Sequence, residues 1–194
     1  MSTYGVVVFL HIVGALGLFV GIGLEQVSLA RLREVSTTNQ ARDWLTVLGS
    51  LRRIDGPSGL ILLATGFFMV VARWQGQAWI GLAIIGMVLM AVLSIAVTSR
   101  RARALKDAVP SSDEVISTSL KARLADPLMR AAATIRATIA LGIVFNMALK
   151  PTGPGPLVSM VVALAAGVLV ALVQSSGRRG VGAGESLGQL SRER

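Results

Sequence analysis

Apolar residues dominate five stretches of the chain, each about as long as one membrane crossing. A helix rises about 1.5 Å per residue, so about 20 residues cross a hydrocarbon layer of about 30 Å. These stretches lack the alternation of a barrel strand, and a backbone in lipid must satisfy its own hydrogen bonds. The pattern predicts an all-α, polytopic transmembrane helical bundle within residues 1–173, with spans at about 5–24, 56–72, 79–98, 131–149 and 157–173.

Charge supports a membrane location and orients the bundle. Only 15% of the 194 residues are charged and the mean hydropathy is +0.69, whereas a soluble domain carries about 25% charged residues. All but two of the 19 Lys and Arg residues lie between spans one and two, between Arg100 and Arg136, or after span five; Arg73 and Lys150 are the exceptions. Cations near span ends stay in the cytoplasm, which predicts an outside N-terminus and a cytoplasmic C-terminus. This placement explains the net charge of +9 without nucleic acid and predicts a multi-pass protein of the plasma membrane.

Three segments depart from this simple pattern. Span four contains Arg136, whose side chain is predicted to snorkel toward the cytoplasmic headgroups. Span one is preceded by no Lys or Arg and followed by no small-residue cleavage pattern, which predicts a retained span rather than a signal peptide. Residues 174–194 combine Ser, Gly and Arg without an apolar face and are predicted to form a basic, flexible cytoplasmic tail.

The two cytoplasmic loops contain helical signals. The first has apolar residues at helical spacing, which predicts an amphipathic helix along the headgroups or against the end of the bundle: Trp44, Leu45, Leu48 and Leu51. In the second, Asp113 and Glu114 follow Ser112 and predict a helix that starts there and reaches Ala125. The absence of cysteine excludes disulfides and thiolate metal sites.

His11 is the only histidine and lies about two turns inside span one. It is a candidate axial ligand for haem or a metal, a candidate proton-transfer group, or a neutral imidazole bonded to a neighbouring helix. A second haem ligand would be water, His11 of a partner chain, or a methionine of spans two to four: Met69, Met87, Met90 or Met147. Gly17 and Gly21 form a G-x-x-x-G pair on the same helix, typical of close helix packing.

Polar residues also mark span two, where Asp55, Ser58 and Thr65 share one helical face. Glu25 and Asp55 are both expected near the cytoplasmic boundary. Charges at that depth generally pair, so the favoured prediction is a structural ion pair with Arg31, Arg52 or Arg53. The alternative is a proton or ion pathway, although acidic residues do not continue through the midplane.

Two segments resemble a group of small helical membrane proteins. Span one reads FLHIVGALGLFVGIGLEQVSLARLR and span two reads IDGPSGLILLATGFFMV, with Trp79 opening span three. This pattern is similar to an uncharacterised family of predicted integral membrane proteins that resembles the copper-resistance D type and the haem-containing membrane protoporphyrinogen oxidase. The resemblance implies a haem ligand at His11. A lysine of the oxidase is replaced by the Ile80–Ala83 region.

Three functions follow as hypotheses. The favoured one is a non-catalytic membrane subunit or scaffold, partnered by the lipid bilayer and by a second copy or another membrane subunit. The second is a haem-binding membrane redox protein with His11 as axial ligand. The third is a small-solute transporter, supported by the weakly polar helix faces.

Overall fold

The computed structural model describes residues 2–73 and 76–190, with side chains through residue 175. Within these ranges the chain forms α-helices joined by short loops. The elements are α1 (Thr3–Arg31), α2 (Thr38–Ser50), α3 (Arg52–Arg73), α4 (Ala78–Leu93), a π-helical segment (Ser94–Ser99), α5 (Arg100–Ala108), α6 (Thr118–Leu124), α7 (Pro127–Leu149) and α8 (Gly155–Leu190).

Five of the helical stretches are long and apolar enough to cross a membrane. They contain the five predicted spans, in α1, α3, α4 with its π-helical extension, α7 and α8. For the residues that the structure describes, the prediction of an all-helical chain with five helices able to span a membrane is therefore confirmed. The predicted basic tail, residues 174–194, lies largely outside the residues whose side chains are described, so its flexibility stays a prediction.

Helix α7 occupies the centre of the bundle. Half of the residues in its most apolar stretch are buried, against 11–22% in the other four spans. It packs against α1, α4 and α8. The outer four helices instead leave large aliphatic and aromatic side chains exposed, as in Phe9, Phe67, Ile85 and Val162. Such a surface is stable in lipid and costly in water.

An apolar cluster closes one end of the bundle, where the two longer loops fold over the helix ends. Helix α2 contributes Leu45 and Leu48, which pack with Leu32 of the first loop, Leu105 of α5 and Met129 of α7. The amphipathic helix predicted in the first loop is therefore present, and its apolar stripe is buried against the end of the bundle.

The helix predicted to start at Asp113 begins later, at Thr118, with Ser117 accepting a hydrogen bond from the Leu120 amide. Residues 114–116 are extended and pair with the first loop. The Thr38 amide donates to the Glu114 carbonyl and the Ile116 amide to the Ser36 carbonyl, each at 3.0 Å. This long-range pairing outweighs the local helix signal, so the predicted start was wrong.

Candidate functional site

Arg136 is a buried positive charge at the centre of the bundle. It lies nine residues after the start of α7, and it is 3% exposed. Its guanidinium donates from Nη1 to Glu25 Oε2 of α1 and from Nη2 to Asp55 Oδ2 of α3, the latter at 3.0 Å. Glu25 is 1% exposed. We call Glu25, Asp55 and Arg136 the ion triad. It ties three membrane helices together.

The predicted partners of these groups were wrong. Arg136 was expected to snorkel to the headgroups, and the two carboxylates were expected to pair with Arg31, Arg52 or Arg53. Arg31 instead pairs with Glu34 at 3.1 Å on the surface. The physical reason is the central position of α7, which turns Arg136 toward α1 and α3 and removes it from lipid.

Hydrogen-bonding capacity is left over around the ion triad. Within the described part of the chain, no partner is found for Glu25 Oε1, Asp55 Oδ1 or Arg136 Nε. The same holds for the buried hydroxyls of Ser28, one turn after Glu25, and Thr98 in the π-helical segment. The Thr98 side chain lies beside the Glu25 carboxyl group. When Glu25, Asp55 and Arg136 are all ionised, the ion triad carries a net charge of −1. Each buried polar group without a hydrogen-bond partner costs about 1–3 kcal/mol of stability.

Ser28 and Thr98 were not among the predicted polar residues. Ser28 follows Glu25 by three positions, a spacing that places both on one helical face and could have identified it. Thr98 reaches the same region from the π-helical segment, which widens the helix between α4 and α5. π-Helical segments are frequent at functional sites, but the sequence of Ser94–Ser99 contains no pattern that predicts a π-helix.

Glycines allow α1 and α3 to approach closely beside the ion triad. A Cβ atom at Gly21 would overlap with the Asp55 carboxylate, and one at Gly17 would overlap with the Ser58 hydroxyl. At Gly14 a Cβ atom would come within 3.2 Å of the Ser58 carbonyl oxygen. The predicted role of the G-x-x-x-G pair in helix packing is therefore confirmed. The predicted polar face of span two meets α1 along its length.

His11 is joined to the same face of α3, since its Nδ1 lies 2.8 Å from Thr65 Oγ1. The Thr65 hydroxyl also lies 2.5 Å from the Ile61 carbonyl, to which its single hydrogen is donated. The hydroxyl oxygen therefore accepts from Nδ1–H of the imidazole, and in the neutral form of the ring this arrangement leaves the lone pair on Nε2. The half-buried ring also lies beside Gly66, where a Cβ atom would sit 3.6 Å from Cε1.

The two polar sites lie at different depths. His11 and Glu25 are 14 residues apart on α1, which corresponds to about 21 Å along the helix axis. Between them, α1 and α3 meet through glycine contacts, which include the Ser58 hydroxyl beside Gly17, and through apolar side chains such as Leu18 and Leu62. A further polar group, Asn146 of α7, is fully buried near the other end of α7 and bonds to Ser159 and to the Pro156 carbonyl of α8.

A haem ligated by His11 fits the chemistry of the ring, because a neutral imidazole with a lone pair on Nε2 is a coordinating form of histidine. Of the four methionines considered as second ligands, Met69 is half-buried on α3, one turn after Thr65, and the other three are placed less favourably. Met90 is buried in the apolar core, and Met87 and Met147 pack against that core. In such positions methionine acts as a space-filling residue.

No protein-family model, no curated protein and no solved structure matches this chain. The fold and the polar network together define a multi-pass helical membrane protein.

Proposed function

We propose that this chain is a non-catalytic subunit or scaffold of the plasma membrane. The ion triad is the observation that carries the proposal, because its charged groups bond to one another and so join α1, α3 and α7. The His11–Thr65 and Asn146–Ser159 hydrogen bonds likewise join neighbouring helices. Broad apolar faces remain on the outer helices for lipid, for a second copy or for another membrane subunit.

The proposed orientation has the N-terminus outside and the C-terminus in the cytoplasm. It is supported by the loops near α2, α5 and α6, which hold most of the cations, whereas the opposite loops hold Arg73 and Lys150. Because the chain has no cysteine, the labelling of a single introduced cysteine reports on which side of the membrane that position lies. We expect a membrane-impermeant maleimide to label Thr152→Cys in intact cells and Asp113→Cys only after permeabilisation. Labelling in the reverse pattern would show that the orientation is the opposite of the proposed one.

A second candidate is a haem-binding redox protein, favoured by the tautomer of His11. The Thr65 oxygen accepts a hydrogen bond from Nδ1–H, so it orients the ring and, when the ring is neutral, leaves Nε2 as the coordinating atom. A bound haem would supply one-electron transfer. In that case His11 would hold the iron and Thr65 would position His11. A small-solute transporter stays a prediction, because no geometric observation favours it over these two candidates.

One experiment separates the two candidates. The tagged chain is expressed with haem supply, cross-linked in its own membrane, extracted in mild detergent, and examined by intact-complex mass and visible spectroscopy. A subunit or scaffold gives a complex of fixed stoichiometry, larger than the 20.3 kDa chain, without a Soret band. A haem protein gives a stoichiometric Soret band that is lost in His11→Ala and retained in the control Met90→Leu. A monomer with that band would overturn the scaffold proposal.

A further inference from the structure

A cavity of about 560 Å³ opens at the end of the bundle where the longer loops lie. It lies between the end of α1, the turn that follows it, and α6. Three alanines form an apolar wall: Ala30, Ala122 and Ala125. Arg33 and Lys121 bring positive charge to the same cavity, and Thr118 brings a hydroxyl group. Its volume lies within the range of small-molecule sites.

The side chains that the structure describes do not neutralise the positive charges of the cavity. Among the residues that the structure describes, neither Arg33 nor Lys121 has an acidic ion-pair partner. Among the described lining residues the one acidic side chain is Glu34, and its carboxylate pairs with Arg31 at 3.1 Å. The cavity therefore carries a net positive charge and favours an anion.

The cavity also lies at headgroup depth. Helix α1 has 29 residues and is about 43 Å long, close to the full thickness of a bilayer with its headgroups, about 40–45 Å. Ala30 and Arg33 flank its last residue, which places the cavity in the headgroup layer. The cavity combines two cations with an apolar wall, as a phospholipid combines a charged phosphate with a glycerol backbone and acyl chains.

We infer that this cavity binds one anionic phospholipid. Arg33 and Lys121 hold the phosphate through charge-assisted hydrogen bonds, the Thr118 hydroxyl donates to a phosphate oxygen, and the alanine wall contacts the glycerol and the first carbons of the acyl chains. The inference does not depend on the proposed scaffold function. A chain of any activity with this cavity would bind the same lipid.

The test is native mass spectrometry of the full chain released from detergent and titrated with phosphatidylglycerol or phosphatidylcholine. We expect one phosphatidylglycerol to bind more tightly than phosphatidylcholine. The double variant Arg33→Ala/Lys121→Ala should lower its affinity about 10- to 30-fold. The control Arg103→Ala/Lys106→Ala removes the same charge from the exposed face of α5, outside the cavity, and should change the affinity less than threefold.

Two results would overturn the inference. Equal losses in the two double variants would show that general surface charge holds the lipid. Displacement of phosphatidylglycerol by inorganic phosphate would show a site for a free anion. If the double variant unfolds, the single variant Lys121→Ala replaces it, because Lys121 is exposed on α6. A loss of phosphatidylglycerol affinity no larger than that of Lys106→Ala would also contradict the inference.

Discussion

Arg136→Met should lower the free energy of unfolding by about 3–5 kcal/mol, the largest effect expected of a single substitution in this protein. The change removes the guanidinium that bonds to both Glu25 and Asp55. Two carboxylates are then left close together in the bundle, and Glu25 is 1% exposed. Reversible unfolding in mixed micelles of a mild detergent and dodecyl sulfate measures the difference.

The matched control is Arg123→Met, which removes the same charge from an exposed position of α6 and should change stability by less than about 0.5 kcal/mol. Neutralising the whole triad, with Glu25→Gln, Asp55→Asn and Arg136→Met together, should recover most of the loss, because no unpaired charge then stays buried. If Arg136→Met costs no more than the control, the ion triad does not stabilise the bundle.

Gly21→Ala should destabilise the protein by about 1–3 kcal/mol, although alanine is ordinarily the better helix former. The new Cβ atom would overlap with the Asp55 carboxylate, so α1 and α3 must separate or the carboxylate must leave Arg136. The same unfolding assay measures the cost. A double-mutant cycle with Asp55→Ala assigns its cause, because the shorter side chain relieves the overlap and makes the two changes less than additive.

Gly23 provides the matched position, two residues further along the same helix. A Cβ atom there meets no neighbour within 4 Å, so Gly23→Ala should be neutral or stabilising by up to about 1 kcal/mol. Equal destabilisation by Gly21→Ala and Gly23→Ala would mean that backbone effects, rather than the contact with α3, decide the outcome.

The sequence alone predicts the five spans because each requires only a local property, namely enough apolar length to cross lipid. The shared face of Asp55, Ser58 and Thr65 follows from helical spacing in the same way, and these residues do meet α1 at Gly21, Gly17 and His11. The glycine pair of α1 was predicted to pack closely for a local reason too, because small side chains permit backbone approach.

Pairing across helices was not predictable in this way. Glu25 and Arg136 are separated by 111 positions, and their bond depends on α7 being the central helix. Arg136 was itself a local signal that α7 lies inside the bundle, because ionisable residues within spans usually face the interior, but its side chain was expected to reach the headgroups instead. The nearest arginines along the chain therefore seemed the better partners, and the prediction failed for that reason. The late start of α6 has the same origin, since residues 114–116 pair with the distant first loop.

Hydropathy and helical spacing thus determined the number of apolar spans, their approximate positions and the polar face of α3, because these properties depend on neighbours within one or two turns. Tertiary structure alone decided which faces meet. It placed Arg136 between two carboxylates, gave the His11 ring a hydrogen-bond acceptor at Thr65, and formed the cavity beside Arg33. The physical reason is that contact between distant residues depends on how five similar apolar rods pack, and lipid solvates their outer faces almost equally well.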